Sequence, residues 1–231
     1  MQRMVRDDPL DPDPGFAELY ASFPDATDLE PWLGWCREAD GPVLYLGIGA
    51  GRLAVPLAAS GVELVGVDAH PGMLDRLRAR LPAPPLGGRG VRGGRPSTSI
   101  ELVLARIEEL DLGRRFPLVI GPSSVLESRD RLAAAARHTT GRVAMELMNP
   151  HWLLEVQHPR VRVLEATGDR AEIEVDYPGR WTHRANVALC WPERIEPLLG
   201  RAGLTLELMR GRDPDADLDE SPTYLVLARV F

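Results

Sequence analysis

The 231-residue sequence predicts an α/β fold built on a doubly wound, mostly parallel sheet. Three observations predict it. Between residues 42 and 147 short apolar runs alternate with helical segments, the pattern of parallel strands joined by crossover helices. A glycine-rich turn, Gly47-Ile-Gly49-Ala-Gly51, separates the first strand from its helix. Beyond residue 160 the alternation gives way to consecutive strands, which predicts an antiparallel addition.

Residues 1–15 are acidic and proline-rich, the composition of a loose tail. Phe16, Leu19, Tyr20, Phe23, Leu29, Trp32, Leu33 and Trp35 then mark two short helices around Pro24. Pro42–Leu46 reads as a buried strand, and Arg52–Ser60 as a helix stopped by Gly61. Val62–Val67 is the second strand and ends at Asp68. Pro71 then sits in the first turn of a helix reaching Leu81. The tract 82–99 is dominated by glycine, proline and serine and predicts a surface loop. Strands come next at Ile100–Leu104, Phe116–Ile120 and Arg142–Leu147, with an alanine-rich helix at Val125–His138. Val161–Ala166, Arg170–Asp176 and Trp181–Cys190 are joined by the turns Gly168-Asp169 and Pro178-Gly179. A helix at Pro192–Arg201 precedes Leu204–Arg210 and Thr223–Phe231, a strand pair that predicts a hairpin at the sheet edge.

Composition narrows the function classes. All 27 basic residues are arginine, which excludes chemistry that needs a lysine Schiff base or a phosphate-binding lysine. A net charge of −7 argues against a nucleic-acid partner, which calls for a basic face. No run approaches the roughly 18 apolar residues of a membrane span, and charges fill the start where a signal peptide is apolar. Cys36 and Cys190 lack metal-ligand spacing and read as reduced, buried thiols of a cytoplasmic protein.

The glycine turn carries the strongest functional signal. Glycines there let the backbone turn sharply and approach a ligand with no Cβ in the way. Asp68, about 20 residues on at the tip of the second strand, is placed to accept hydrogen bonds from the two ribose hydroxyls of an adenosine moiety. Arg52 stands where a dinucleotide site has its third glycine, which favours a ligand without a pyrophosphate.

The segment VLYLGIGAGRLAVPLAASGVELVGVDAHPGML resembles the first half of a class I S-adenosylmethionine-dependent methyltransferase. The likeness extends through IELVLARIEEL, FPLVIGPSSVL and ERIEPLLGRAGLTLEL, over most of the chain. It implies a single domain over 1–231 with a seven-stranded sheet ending in an antiparallel hairpin. Residues 16–40 would form a helical cover and 151–190 inserted lid strands. It implies S-adenosylmethionine as cofactor and S-adenosylhomocysteine as product. Gly47, Gly49 and Gly51 would cradle the methionine part, Asp68 the ribose, Ala69 and Met73 the adenine, with Tyr20 closing from the cover. The sequence departs from the family at three positions where acids are usual: Tyr45, Arg106 and Pro117. At the adenine, backbone groups of Arg106 or Ile107 would replace the missing carboxylate.

Methyl transfer depends chiefly on in-line placement, with a base needed only for a protonated nucleophile. Candidates lie just after the fourth and fifth strands, because ligands bind beyond the carboxyl ends of such sheets. His151 is the first choice for a base, against the reading of an exposed loop histidine. Glu127 either faces the cleft or caps a helix, and Ser123 either lines the cofactor cleft or caps. Glu146 either faces the cleft or is a paired structural carboxylate. Asn149 and Trp152 fall in the same substrate-side stretch. Arg180, His183 and Arg184 form a candidate face for an anionic substrate, against the reading of outward-facing charge on a sheet. His151, His158 and His183 lack metal-ligand spacing, so no metal is expected. The expected function is methylation of a small-molecule metabolite. The alternatives are non-methylating chemistry on an anionic molecule in the same fold, or a non-catalytic partner subunit. Oligomeric state is left between a homodimer and association with a partner.

Overall fold

The computed structural model describes residues 3–8, 10–82, 100–155, 158–179, 181–215 and 217–231. The start of the chain is not a tail. Arg3–Arg6 forms strand β1, and its Val5 side chain is buried. Asp13 caps helix α1 (Pro14–Ala21) by accepting the Gly15 N–H at 2.8 Å, with Pro14 in the first turn. Next come α2 (Trp32–Glu38), β2 (Val43–Leu46), α3 (Ala54–Ala59), β3 (Leu64–Asp68) and α4 (Pro71–Arg80). The chain continues through β4 (Ile100–Leu104), β5 (Phe116–Gly121), α5 (Arg129–Arg137), β6 (Thr139–Met148) and α6 (Pro150–Glu155). It ends with β7 (Val161–Thr167), β8 (Arg170–Tyr177), β9 (Trp181–Ala188), α7 (Ile195–Arg201), β10 (Leu204–Gly211) and β11 (Thr223–Val230).

The main sheet has the order β10-β11-β6-β5-β2-β3-β4, parallel throughout except where β11 pairs antiparallel with β6 and with β10. Its central strand β2, Val-Leu-Tyr-Leu, is buried along its whole length because helices cover both faces. On one face β2, β5 and β6 pack with α5 and α7 through Leu44, Val119, Leu132 and Leu199. On the other, Tyr45, Ile120 and Ala144 meet Trp32, Leu57 and Leu74 from α2, α3 and α4. Full burial of one such Leu or Phe stabilises by about 1.5–3 kcal/mol, so these two clusters hold the sheet in its register. Strand order reverses between β2 and β5, which opens a crevice beyond their carboxyl ends.

The three inserted strands do not extend this sheet. They form a second sheet of order β1-β9-β8-β7, antiparallel except for the parallel β1–β9 pair that runs from Arg3↔Trp181 to Arg6↔Arg184. The N-terminal strap, β1 with α1, is thereby fixed from two sides. Val5, Phe16, Ala17 and Leu19 pack on Ala50 of the glycine turn and Met73 of α4.

Two helix starts differ from the sequence expectation. Helix α3 begins at Ala54, because residues 51–53 still belong to the turn. Helix α5 begins at Arg129, capped by Ser128, because Ser123 and Ser124 both adopt left-handed backbone angles (φ 60° and 61°). The expected loop at 82–99 lies outside the described residues apart from Pro82. Cys36 and Cys190 are free and buried, and burial pushes each thiol up to about 12.

Candidate functional site

A cavity of about 400 Å³ lies at the strand-order reversal, beyond the carboxyl ends of the central strands. Each parallel strand runs into a loop that lines it: Gly47–Ala50 after β2, Asp68–His70 after β3, Arg106–Glu108 after β4 and Pro122–Val125 after β5. Tyr45 and Glu146 enter from β2 and β6, and Asp7, Asp8, Phe16 and Tyr20 from the strap.

The glycine turn is shaped by three positive backbone angles, at Gly47, Gly49 and Gly51. Gly47 has φ 70°, and a Cβ there would meet Val125 Cγ1 at 2.5 Å, so the turn packs directly on the β5 loop. Gly49 has φ 57° with no atom within 4 Å of where its Cβ would lie, and the residue lines the cavity. A side chain at 49 would occupy space that is open for a ligand. Asp68 ties this turn to the next strand: Oδ2 accepts the Gly49 N–H at 2.7 Å and Oδ1 the His70 N–H at 2.8 Å. Burial raises its pKa, and the backbone N–H groups of His70 and Gly49 counter that shift. Each oxygen keeps a lone pair, so the carboxylate can still accept from a ligand hydroxyl. His70 joins strap and cradle: Nδ1 accepts from Gly72 N at 3.1 Å while Nε2 donates to the Asp13 carbonyl at 2.9 Å.

At the far end of the cavity Met73 and Ile107 supply apolar walls beside Ala69. Arg106 turns towards Glu108 (3.9 Å) and Glu109 (3.5 Å), leaving its buried Nε without a hydrogen-bond partner. Glu108 lines the same end. Partial burial works against its ionisation, but the Arg131 guanidinium at 2.7 Å outweighs this and lowers its pKa. Carboxylates thus reach this end from Glu108 and Asp7, although position 106 itself is basic.

The structure brings Tyr20, Gly47, Gly49, Asp68, Ala69, Met73, Arg106, Ile107 and Ser123 to one cavity. Gly51 lies just behind its wall, where a Cβ would collide with Leu77. Burial raises the Tyr20 phenol well above its usual range, so it acts as a neutral wall. The residues chosen for chemistry lie elsewhere. His151 sits in the first turn of α6, bonds Glu193 at 3.2 Å and stacks edge-on against Trp191. Asn149 is wholly buried and braces the β10–β11 connection through the Leu218 and Ser221 carbonyls. Trp152 packs in the small core under the second sheet, near His158. Glu127 neither lines the cavity nor caps α5. Its Oε2 accepts the Ala188 N–H at 3.1 Å, stitching the β5–α5 loop to β9, and burial raises its pKa.

The candidate anion face does not assemble among the described residues. Arg184 is held by both oxygens of Glu172, at 2.7 and 2.8 Å, and Arg162 by Glu174 and Asp176. His183 is buried against Phe16 and Tyr177, its Nε2 has no partner, and burial pushes it down to about 4. Arg180 lies outside the described residues. Sequence reasoning missed Asp7, Asp8 and Arg131, which arrive from the strap and from α5. Only the short apolar pair Met4-Val5 before Asp7 and Asp8 hinted at a structured strap.

A family model described as a methyltransferase domain matches residues 44–136, which span the glycine turn, Asp68 and α5. The curated proteins include no match to the sequence. Among solved structures, the chain is similar to the CcbJ methyltransferase from Streptomyces caelestis, with a TM-score of 0.70 at 22% identity over 93% of this chain and 96% of that one. It is similar to an S-adenosylmethionine-dependent methyltransferase from Clostridium acetobutylicum, with a TM-score of 0.64 at 15% identity over 94% and 98%. It is also similar to the glycopeptide N-methyltransferase MtfA solved with S-adenosylmethionine, with a TM-score of 0.62 at 21% identity over 91% and 96%. The matched segment and the seven-stranded topology give this chain the fold of the class I methyltransferases.

Proposed function

We propose that the protein transfers a methyl group from S-adenosylmethionine to a small molecule. The observation that carries this reading is the open cradle at Gly49 with the Asp68 carboxylate beside it, at the strand-order reversal. The residues present fit the group. The Gly47–Ala50 backbone would hold its amino-acid part, Asp68 its ribose, and Met73 with Ile107 its adenine. When bound, the sulfonium supplies a methyl group: the acceptor's lone pair forms the new bond to carbon as the carbon–sulfur bond breaks, its electron pair returning to sulfur.

The chain's own contribution is placement and exclusion of water. The strap covers the cradle through Phe16 and Tyr20, and Tyr45 and Arg106 line the cavity without filling it. That openness favours a ligand-binding pocket over one plugged by its own side chains. A cavity of about 400 Å³ lies within the range of small-molecule sites, and its many carboxylates disfavour a nucleic-acid substrate. The anionic-substrate reading loses Arg184, which is already paired with Glu172. Among the described residues no helix is long and apolar enough to cross a membrane.

Titration calorimetry with S-adenosylmethionine and S-adenosylhomocysteine tests the reading. Micromolar binding of both, weakened in Asp68→Ala, is expected. Absence of binding at millimolar ligand overturns it.

A further inference from the structure

The charges around the cavity are unevenly satisfied. Arg52 donates to the Pro24 carbonyl at 2.9 Å and lies over the Phe23 ring. Arg106 and Arg131 are taken by Glu108 and Glu109, and Arg212 faces Asp28 at 3.6 Å. Each lining arginine thus has a partner on its own side of the cavity, although the Arg106 Nε keeps none. Glu146 is in the opposite position. Its Oε1 accepts the Thr223 hydroxyl at 2.7 Å, and no cation pairs with it among the described residues.

Register places Glu146 against a second unsatisfied group. Tyr45 pairs with Ile120, and Ile120 with Ala144, so all three point to one face of the sheet, as does Glu146 two residues further along β6. Strands β2 and β6 lie two strand spacings apart, roughly 10 Å, a gap that a tyrosine and a glutamate side chain narrow from either side. Tyr45 is 5% exposed, lines the cavity, and its hydroxyl makes no hydrogen bond among the described residues. The nearby Glu146 charge and burial both hold the phenol protonated, burial being the larger.

We propose that the methyl acceptor is an amine, held by the Glu146 carboxylate and the Tyr45 hydroxyl oxygen. This rests on the methyl-transfer reading and names its substrate class. Two acceptors take the two N–H groups of a neutral primary amine and leave the nitrogen lone pair free to point into the cleft. As the nitrogen–carbon bond forms and the carbon–sulfur bond breaks, the nitrogen becomes a methylammonium. Its excess proton passes along the hydrogen bond that the bound amine donates to Glu146 Oε2, which becomes protonated. Asp7 and Asp68 line the same cavity and disfavour an anionic visitor. An alcohol or carboxylate acceptor would meet a carboxylate with too few donors or with like charge.

The test uses the full chain with radiolabelled methyl donor and three matched pools of small aromatic and sugar-derived compounds: primary amines, alcohols and carboxylic acids. Label is expected in the amine pool. Calorimetry on protein saturated with S-adenosylhomocysteine then measures the best amine directly. Glu146→Gln is expected to weaken amine binding about tenfold or more, and Tyr45→Phe about threefold to tenfold. In both variants affinity for S-adenosylhomocysteine stays within twofold, which also shows that the cavity is intact. Label in the alcohol or acid pool, no label in the amine pool, or unchanged amine affinity in Glu146→Gln overturns the proposal. Failure to bind S-adenosylhomocysteine at all is the separate failure of the methyl-transfer reading.

Discussion

Asp68→Asn separates the cradle's architecture from its ligand chemistry. Asparagine keeps the side chain's shape and one carbonyl oxygen but puts an NH₂ group where the second acceptor was. Of the Gly49 and His70 N–H groups, now bonded at 2.7 and 2.8 Å, one would then face a donor. A hydrogen bond to a charged group contributes about 1.5–3 kcal/mol. Part of this loss is offset, because burial already raises the Asp68 pKa and asparagine carries no charge to desolvate. The net cost is about 1–2 kcal/mol, or roughly 2–8 °C in Tm for a chain of this size. The ligand loses more. A ribose hydroxyl that donated to a carboxylate now meets the NH₂ group, and affinity for S-adenosylhomocysteine falls roughly 10- to 100-fold. Scanning calorimetry with and without the ligand reads both quantities. A variant whose Tm drops as expected but whose affinity stays within threefold of the parent refutes the assignment, leaving Asp68 as a brace between β2 and β3.

Four further outcomes rest on the geometry. His183 is held neutral by burial, with its pKa down from 6.5 to about 4, so it adds stability above pH 6.5 that is lost as pH falls towards 4. The full effect is about 3 kcal/mol, and His183→Phe should remove this acid-range loss in denaturant melts at pH 7 and pH 4. Gly47→Ala combines left-handed strain with a collision at Val125 and should cost about 2–5 kcal/mol. Gly49→Ala should cost only about 1–2 kcal/mol yet weaken S-adenosylhomocysteine at least tenfold in calorimetry, since its methyl group enters the cavity. Arg184→Ala breaks a partly exposed pair with Glu172 outside the cavity, so it should leave both the denaturant midpoint and ligand affinity nearly unmoved. Loss of binding in Arg184→Ala would restore the anion-site reading.

The centre of the parallel sheet was legible because β2 and β5 are nearly continuous apolar runs beside glycine or proline, a signal that survives without tertiary knowledge. The cradle was legible for the same reason: Gly47, Gly49 and Asp68 sit at fixed places in one strand–turn–helix–strand unit. Chemistry scattered over the fold was not. The arginines of β7–β9 looked like an anion site because their partners depend on register. Arg162 faces Glu174 across β7 and β8, and Arg184 reaches diagonally to Glu172. Strand β1 has four residues and one buried side chain, too short for any periodicity to stand out from an acidic tail. His151 was preferred over Glu146 because it comes just after a strand end. Strand β6 instead closes with Asn149 locking the chain into α6, which turns His151 towards Glu193.

The parallel pairing of β1 with β9 joins Arg3–Arg6 to residues about 180 positions further along the chain. During synthesis β1 emerges long before its partner exists, so the strap has no hydrogen-bonding edge to hold it until most of the main sheet is already made. Closing so long a loop adds little to the free-energy cost, because that cost grows only logarithmically with length, but contacts of this separation form late. The last part to assemble is also the first to open. Amide exchange should therefore be faster in Arg3–Arg6 than in β2 or β5, and a ligand in the cradle should leave no faster than the strap lifts.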